Sequence, residues 1–323
     1  MPSWIRIRRL LCLAILVSGC YTQPVGSSTQ PIKILTLDWT SQVVASHIVG
    51  LLLQRLGYPV SYLAEDADSQ WFLLSSGQAD LQVEVWEGSM ASKMNELTRR
   101  GLVVDAGTHT ALTREEWWYP KYAKAACPGL PDWTALKACA AQFSDGSNEL
   151  GVYYTGPWEK PDRARIRALG LPFRVVELAD AAALRGVLED AARHTRPVVL
   201  FNWTPNWVES VYPGEFVEFP AYAEACETDP EWGINRRLAW DCGNPKDGWL
   251  KKAVSRTFPE TWPCGFALVR AIDFSNADIA TAAALVEVQG YSAPEAAAHW
   301  LDAHQPKSSA WIEQAGCTAA GAR

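Results

Sequence analysis

Histidine is scarce in this chain, five among 323 residues, and no pair has the HExxH spacing that would build a His-based metal site. No basic patch interrupts a net charge of −7, which excludes nucleic acid as a partner. No apolar run approaches the roughly 20 residues needed to span a bilayer. Short repeats and low-complexity tracts are absent, and no nucleophile–base pair stands out, so the chain is read as a non-enzyme without cofactor or metal. What it has in surplus is tryptophan, 16 residues. That exceeds what core filling needs, because an indole is hard to bury completely and keeps one donor to satisfy. With 48% hydrophobic content there is apolar material for a large core and two lobes.

The N-terminus places Arg6, Arg8 and Arg9 before a short apolar run, Leu10 to Val17, then Ser18, Gly19 and Cys20. This is a processing signal, residues 1–20, rather than a membrane helix. Val17-Ser18-Gly19-Cys20 resembles a bacterial lipobox, which implies lipidation at Cys20; an ordinary secretory signal with an incidental Cys is the competing reading. Both put the mature protein outside the cytoplasm, in the periplasm or on the outer face of the cytoplasmic membrane. Residues 21–31, rich in Ser, Gln, Pro and Gly, read as a flexible tether.

Export makes the other six cysteines intelligible. Cys127 and Cys139, like Cys226 and Cys242, bracket short segments rich in Pro, Asp and Trp. In an oxidising compartment such pairs are most simply loop-closing disulfides, each stabilising by roughly 3 kcal/mol on the chain-entropy model. Cys264 and Cys317 are left open between a bond and two free thiols.

Along the chain, Ile32 to Leu37, Val60 to Leu63 and the Val83–Trp86 stretch read as strands, with helices after the first at Thr40–Leu56, after the second from Asp68 or Ser69, and after the third at Ser89–Arg100. This β-α-β-α-β order is that of a doubly wound parallel sheet. The segment Glu115 to Tyr122 is too aromatic and too polar for a plain core strand and suits a crossover between lobes. Asp132 to Phe143 is a helix, and Gly151–Tyr154, Phe173–Leu178 and Pro197–Phe201 are strands with helices between them. Phe216 to Phe219 reads as a return crossover. Helices are expected at Asp247–Phe258, Ser275–Gly290 and Ala293–His304, and a last turn at Trp311.

Trp39, Trp86, Trp158 and Trp203 each follow a predicted strand. If each half is its own α/β sheet, the four face one cleft at the strand ends, where ligands bind in open sheets. Within ADLQVEVWEGSM, Ala79 to Met90, Glu84 alternates with Val83 and Val85 and lies beside Trp86. An indole face attracts a cation and a nearby carboxylate neutralises it. A core Trp beside a solvated acid is the plainer alternative for that stretch alone. Three or four aromatic walls at roughly 0.5–2 kcal/mol each, with methyl burial, reach the roughly 8 kcal/mol of micromolar binding. Sugars also stack on Trp, but the strand ends offer few Asp, Asn or Arg groups for their hydroxyls.

The run from Ile32 through Trp311 resembles the substrate-binding proteins of bacterial ABC importers for glycine betaine, choline and related quaternary amines. LLLQRLGYPVSYL and WFLLSSGQADLQVEVWEGSM resemble that family's first-lobe signature, WYPKYA its crossover and VVLFNWTPNW its Trp-Pro motif. VQGYSAPEAAAHWLDAHQPKSSAWI resembles its C-terminal helices, and CPGLPDWTALKAC a disulfide-bearing branch that includes binders of trimethylamine N-oxide. The resemblance implies a two-lobe periplasmic-binding-protein fold of type II, each lobe a mixed, mostly parallel sheet flanked by helices. Lobe I is expected at 32–119 and 216–318, and lobe II at 120–215. It also implies an ABC permease and its ATPase as partners, and an aromatic box around a methylated nitrogen. Trp39, Trp86 and Trp203 match that box; Trp158 matches a Trp present in some members only. Among Trp117, Trp118 and Tyr119 the favoured ligand contacts are Trp118 and Tyr119. Choline-binding members carry Asp where this chain has Ser41, which points away from choline and leaves Glu84 as the acidic partner. For a carboxylate ligand, backbone N–H groups around Thr155 to Trp158 are the expected donors.

Overall fold

The computed structural model describes residues 30–158 and 160–317. The signal at 1–20, the lipidation site Cys20 and nearly all of the tether at 21–31 lie outside the described residues. Among those described, no helix is long and apolar enough to cross a membrane.

Nine strands form the framework of the described residues. They are β1 (Ile32–Thr36), β2 (Val60–Ala64), β3 (Leu81–Trp86), β4 (Val103–Pro120), β5 (Gly151–Thr155), β6 (Phe173–Glu177), β7 (Val199–Thr204), β8 (Gly214–Phe216) and β9 (Gly248–Ser255). Their order is β2-β1-β3-β9-β4-β7-β5-β6, with β8 paired to β4. Parallel pairs β1/β2, β1/β3, β5/β6 and β5/β7 lie at the two ends, and antiparallel pairs involving β4 and β9 lie in the middle. The crossovers of the parallel ends are helical, α1 (Thr40–Arg55), α2 (Gln70–Ser76), α5 (Asp162–Leu169) and α6 (Ala181–Arg193), while α3 (Glu87–Arg99) leads from β3 to β4 and α4 (Trp133–Ala138) lies between β4 and β5. The mixed sheet flanked by helices is the architecture expected from the sequence.

β4 is the element that joins the halves. Its residues from Val103 to Thr113 pair with β9, those from Arg114 to Trp118 with β7, and Trp118 to Pro120 with β8. Two separate apolar cores lie on either side of that handover. One is built from β1, β3, β9 and α1 with the C-terminal helices, and holds Ile34, Val49, Val83 and Trp300. The other is built around β5, β6 and β7 and holds Trp117, Tyr153, Phe173 and Leu188. Each core with its helices is called a lobe below. Trp117 to Tyr119 pack in the second core, and residues after 216 are tied to the second lobe, with Val217 and Phe219 in its core and Asn235 donating to the Ala168 carbonyl.

Residues 248–255, expected within a helix, form β9 instead. Leu250, Ala253 and Val254 are buried while Trp249 and Lys251 are half-exposed, an alternation the charged pair Lys251-Lys252 disguises. Inserted between β3 and β4, the segment satisfies its backbone in two ladders, which overrides its helical propensity. The ammonium of Lys252 is buried and donates to the Ile272 carbonyl.

All three cysteine pairs are bonded: Cys127–Cys139, Cys226–Cys242 and Cys264–Cys317. The third, which the sequence left open, ties the helix Pro263–Ala271 to the end of the last helix, Gln305–Ala315.

Candidate functional site

The strand β3 carries alternating apolar and polar side chains, yet every one of its residues is buried. Its polar face is satisfied from the helices. Gln42 of α1 donates to Gln82 at 2.7 Å, and Gln82 donates to Gln70 of α2 at 2.9 Å. This amide chain carries on to Glu84, whose backbone N–H donates to Gln82 Oε1 at 3.3 Å.

Glu84 is fully buried. Its Oε2 accepts from Trp39 Nε1 at 2.8 Å, Ser41 Oγ at 2.9 Å and Trp86 Nε1 at 3.3 Å. Its Oε1 has no partner among the described residues. Burial pushes the carboxyl up from 4.5 to about 7, and the three donors pull against that rise. Sharing one carboxylate fixes both indoles by their N–H edges while their rings line a cleft between the lobes.

That cleft has a volume of about 1440 Å³ and brings together Trp39, Trp86, Trp158 and Trp203. The first two come from the first lobe, at the entries to α1 and α3. The other two come from the second. Trp158 meets Trp203 edge-on at 5.5 Å, and Phe201 packs against Trp158 at 5.4 Å and Trp203 at 5.6 Å. Trp203 also touches both apolar cores, so it sits at the join of the lobes. Across the cleft, Trp158 Nε1 donates to Asp38 Oδ1 at 3.1 Å. Burial raises the Asp38 carboxyl, against the pull of that hydrogen bond.

Trp118 and Tyr119 do not join this group. Both are completely buried in the second core. Trp118 packs so closely over β8 that a Cβ on Gly214 would lie 1.8 Å from its ring. Tyr119 donates its hydroxyl to Glu215 at 3.0 Å, and burial pushes that hydroxyl up. Trp117 stacks on Tyr153 at 3.9 Å and donates to Asp162 at 2.7 Å. The aromatic run is thus the central strand of a core, although its flank is polar in sequence.

The residue of that run which does reach the cleft is Glu115. It stands opposite Trp203 in the β4/β7 ladder and pairs with Lys160, with side chains 6% and 3% exposed. Gly88, in the first turn of α3, makes room for it: a Cβ there would lie 2.7 Å from Glu115 Oε2. Trp71, Phe201 and Trp240 also line the cleft and were not singled out beforehand. Phe201 was visible as the residue before the Trp-Pro motif. Nothing local marked Lys160 or Trp240, because their placement depends on how distant segments meet.

Among the described residues, no group of His, Cys, Asp and Glu is arranged to hold a metal.

Two lobes joined through shared strands, with a cleft between them, form the scaffold of ABC-importer binding proteins. Solved structures of the same architecture include an ABC-transporter choline-binding protein in complex with choline, with TM-score 0.71, 17% identity, and coverage of 91% of this chain and 94% of that one. A glycine betaine/L-proline-binding protein from Borrelia burgdorferi has TM-score 0.69, 13% identity, and coverage of 89% and 99%. Residues 30–303 match the family described as the substrate binding domain of the ABC-type glycine betaine transport system, and the chain belongs to that family. A trimethylamine N-oxide-binding protein of Pelagibacter ubique (strain HTCC1062) is 37% identical over 286 residues, 85% of this chain and 88% of that protein. The chain is therefore a substrate-binding protein of the quaternary-amine importer family.

Proposed function

We propose that the protein binds a small methylated amine, such as trimethylamine N-oxide or glycine betaine, between its lobes and delivers it to an ABC permease and its ATPase. The observation that carries this is the pair Trp39 and Trp86 held by their N–H edges on one buried carboxylate. Both indoles line the cleft, and the carboxyl of Glu84 stands behind their N–H edges. A methylated nitrogen gains from both, and more so once closure removes water. Trp158 and Trp203 supply walls from the second lobe, so a ligand touching both pairs favours the closed state by its differential affinity. Glu84 supplies the acidic partner behind these indoles and no covalent chemistry is involved. The same reading places the protein in the periplasm, anchored through a lipid at Cys20.

The test is intrinsic Trp fluorescence titrated with trimethylamine N-oxide, glycine betaine, choline, carnitine, a sugar set and amino acids. Saturable change with a methylated amine at micromolar levels is expected. A response to a sugar or an amino acid alone would sink the reading.

A further inference from the structure

The cleft already holds a positive charge. Lys160 lies in the segment that brings Trp158 to the cleft, and its side chain is 3% exposed. Its ammonium sits 4.4 Å from the centroid of Phe201, the ring that packs on both Trp158 and Trp203. A Lys ammonium has three donors and no acceptor. Within the described residues only one hydrogen bond leaves it, to Glu115 Oε1. A buried ammonium with donors to spare calls for further acceptors, and here the open space beside it is the cleft.

Two buried groups of opposite sign thus flank the aromatic walls, with the Glu115 carboxylate, whose Oε2 is also unpartnered, beside the ammonium. Behind Trp39 and Trp86 stands Glu84, with one oxygen unpartnered. On the opposite lobe, beside Trp158 and Trp203, stands Lys160, leashed by Glu115. A ligand with a positive and a negative end meets a complementary group at each. A ligand with net positive charge meets Glu84 favourably and Lys160 unfavourably. Ser41 strengthens the asymmetry, since it spends its hydroxyl on Glu84 and adds no second negative charge near the methyl groups.

We propose that Lys160 reads the negative end of the ligand, so that the site selects dipolar methylated amines, bearing an N-oxide oxygen or a carboxylate, over amines of net positive charge. This rests on the methylated-amine reading and narrows it. Glu115 is then a positioning residue: it holds the ammonium over Phe201 and keeps it from reaching the methyl-binding walls.

The experiment is calorimetric titration of the folded protein with trimethylamine N-oxide, glycine betaine and choline, in the parent, Lys160→Met, Lys160→Arg and the double variant Lys160→Met/Glu115→Gln. The double variant removes the whole pair, so no buried carboxylate is stranded if Lys160→Met alone fails to fold. The parent is expected to bind at least one dipolar amine tenfold or more tighter than choline. Lys160→Met and the double variant should lose tenfold or more for that amine while choline binds unchanged or tighter, and Lys160→Arg should keep the preference. An equal loss for all three ligands, or no loss, overturns the role of Lys160 and leaves the methylated-amine reading standing. So does a parent that prefers choline. A parent that binds none of the three while responding to a sugar or amino acid overturns both.

Discussion

Trp158 donates its indole N–H to Asp38 across the cleft at 3.1 Å, one side chain from each lobe. The bond fixes the angle of an indole that also meets Trp203, so it presets part of the second-lobe wall against the first. Replacing Trp158 by Phe keeps a ring and removes the donor. Hydrogen bonds to charged groups are worth about 1.5–3 kcal/mol, less where solvent shares the acceptor. Trp158→Phe is expected to weaken ligand binding by about tenfold or less and to raise the radius of gyration of the free protein in X-ray scattering. Trp158→Ala, which also loses the wall, should weaken binding further.

Trp86→Ala should reduce affinity more than tenfold while circular dichroism stays unchanged. The ring lines the cleft at the end of β3, and removing it also deprives Glu84 of one donor. Unchanged affinity would put Trp86 outside the ligand's reach.

Glu84 makes stability depend on pH in a definite direction. Its carboxyl is pushed up from 4.5 to about 7 in the folded protein. Below that window both folded and unfolded chains hold the proton. Within it the unfolded chain releases the proton while the folded one retains it, so this group's contribution to stability falls as pH rises. Above the window the contribution stays low. Glu84→Gln should therefore gain in Tm relative to the parent as pH climbs through the window, then level off. The same variant should bind a methylated amine far more weakly. A Tm difference that is flat with pH would show that Glu84 ionises normally.

The Cys127–Cys139 and Cys264–Cys317 disulfides close loops that contribute nothing to the cleft lining, while the Cys226–Cys242 loop carries Trp240 on the cleft's rim. Reduction is expected to lower Tm, each bond contributing about 3 kcal/mol or somewhat more for the longest loop. Ligand titration of the reduced, still folded protein at low temperature should give nearly the same affinity. Loss of binding in parallel with reduction would show that the Cys226–Cys242 loop, which lines the cleft's rim, touches the ligand itself.

Trp240 lines the cleft from a left-handed backbone, φ +70°, that a bulky L-residue adopts only at a penalty. It is held there by its N–H to the Cys226 carbonyl at 2.8 Å. Trp240→Gly should raise Tm by a few degrees, because glycine takes this conformation without strain. A fall in Tm would mean that the indole's packing outweighs the backbone penalty.

The sequence made much of this legible, for identifiable reasons. β1, β3 and α1 declare themselves through periodicity, and Trp39, Trp86, Trp158 and Trp203 through their position just after apolar strands; all four line the cleft. Trp118 and Tyr119 lie in the second core rather than along the cleft, where the strand next to Glu115 and Glu116 reads in sequence as a polar surface although Glu116 is buried against Arg165. Burial raises the Glu116 carboxyl, and the Arg165 guanidinium opposes that rise. β9 was misread because its exposure alternates only once it is inserted between two strands far away in sequence. Lys160 and Trp240 carry no local signal at all, since the neighbours that give them meaning are supplied by other segments.

The insertion of β9 between β3 and β4 has a consequence for how the chain is made. The strand that completes the first sheet leaves the ribosome only after the whole second lobe has been synthesised. Until then β3 and β4 have an empty place between them, and the first apolar core lacks the helices that follow β9. A nascent chain in that condition cannot lock its N-terminal half early, so it stays threadable for translocation and becomes vulnerable to aggregation if release is delayed.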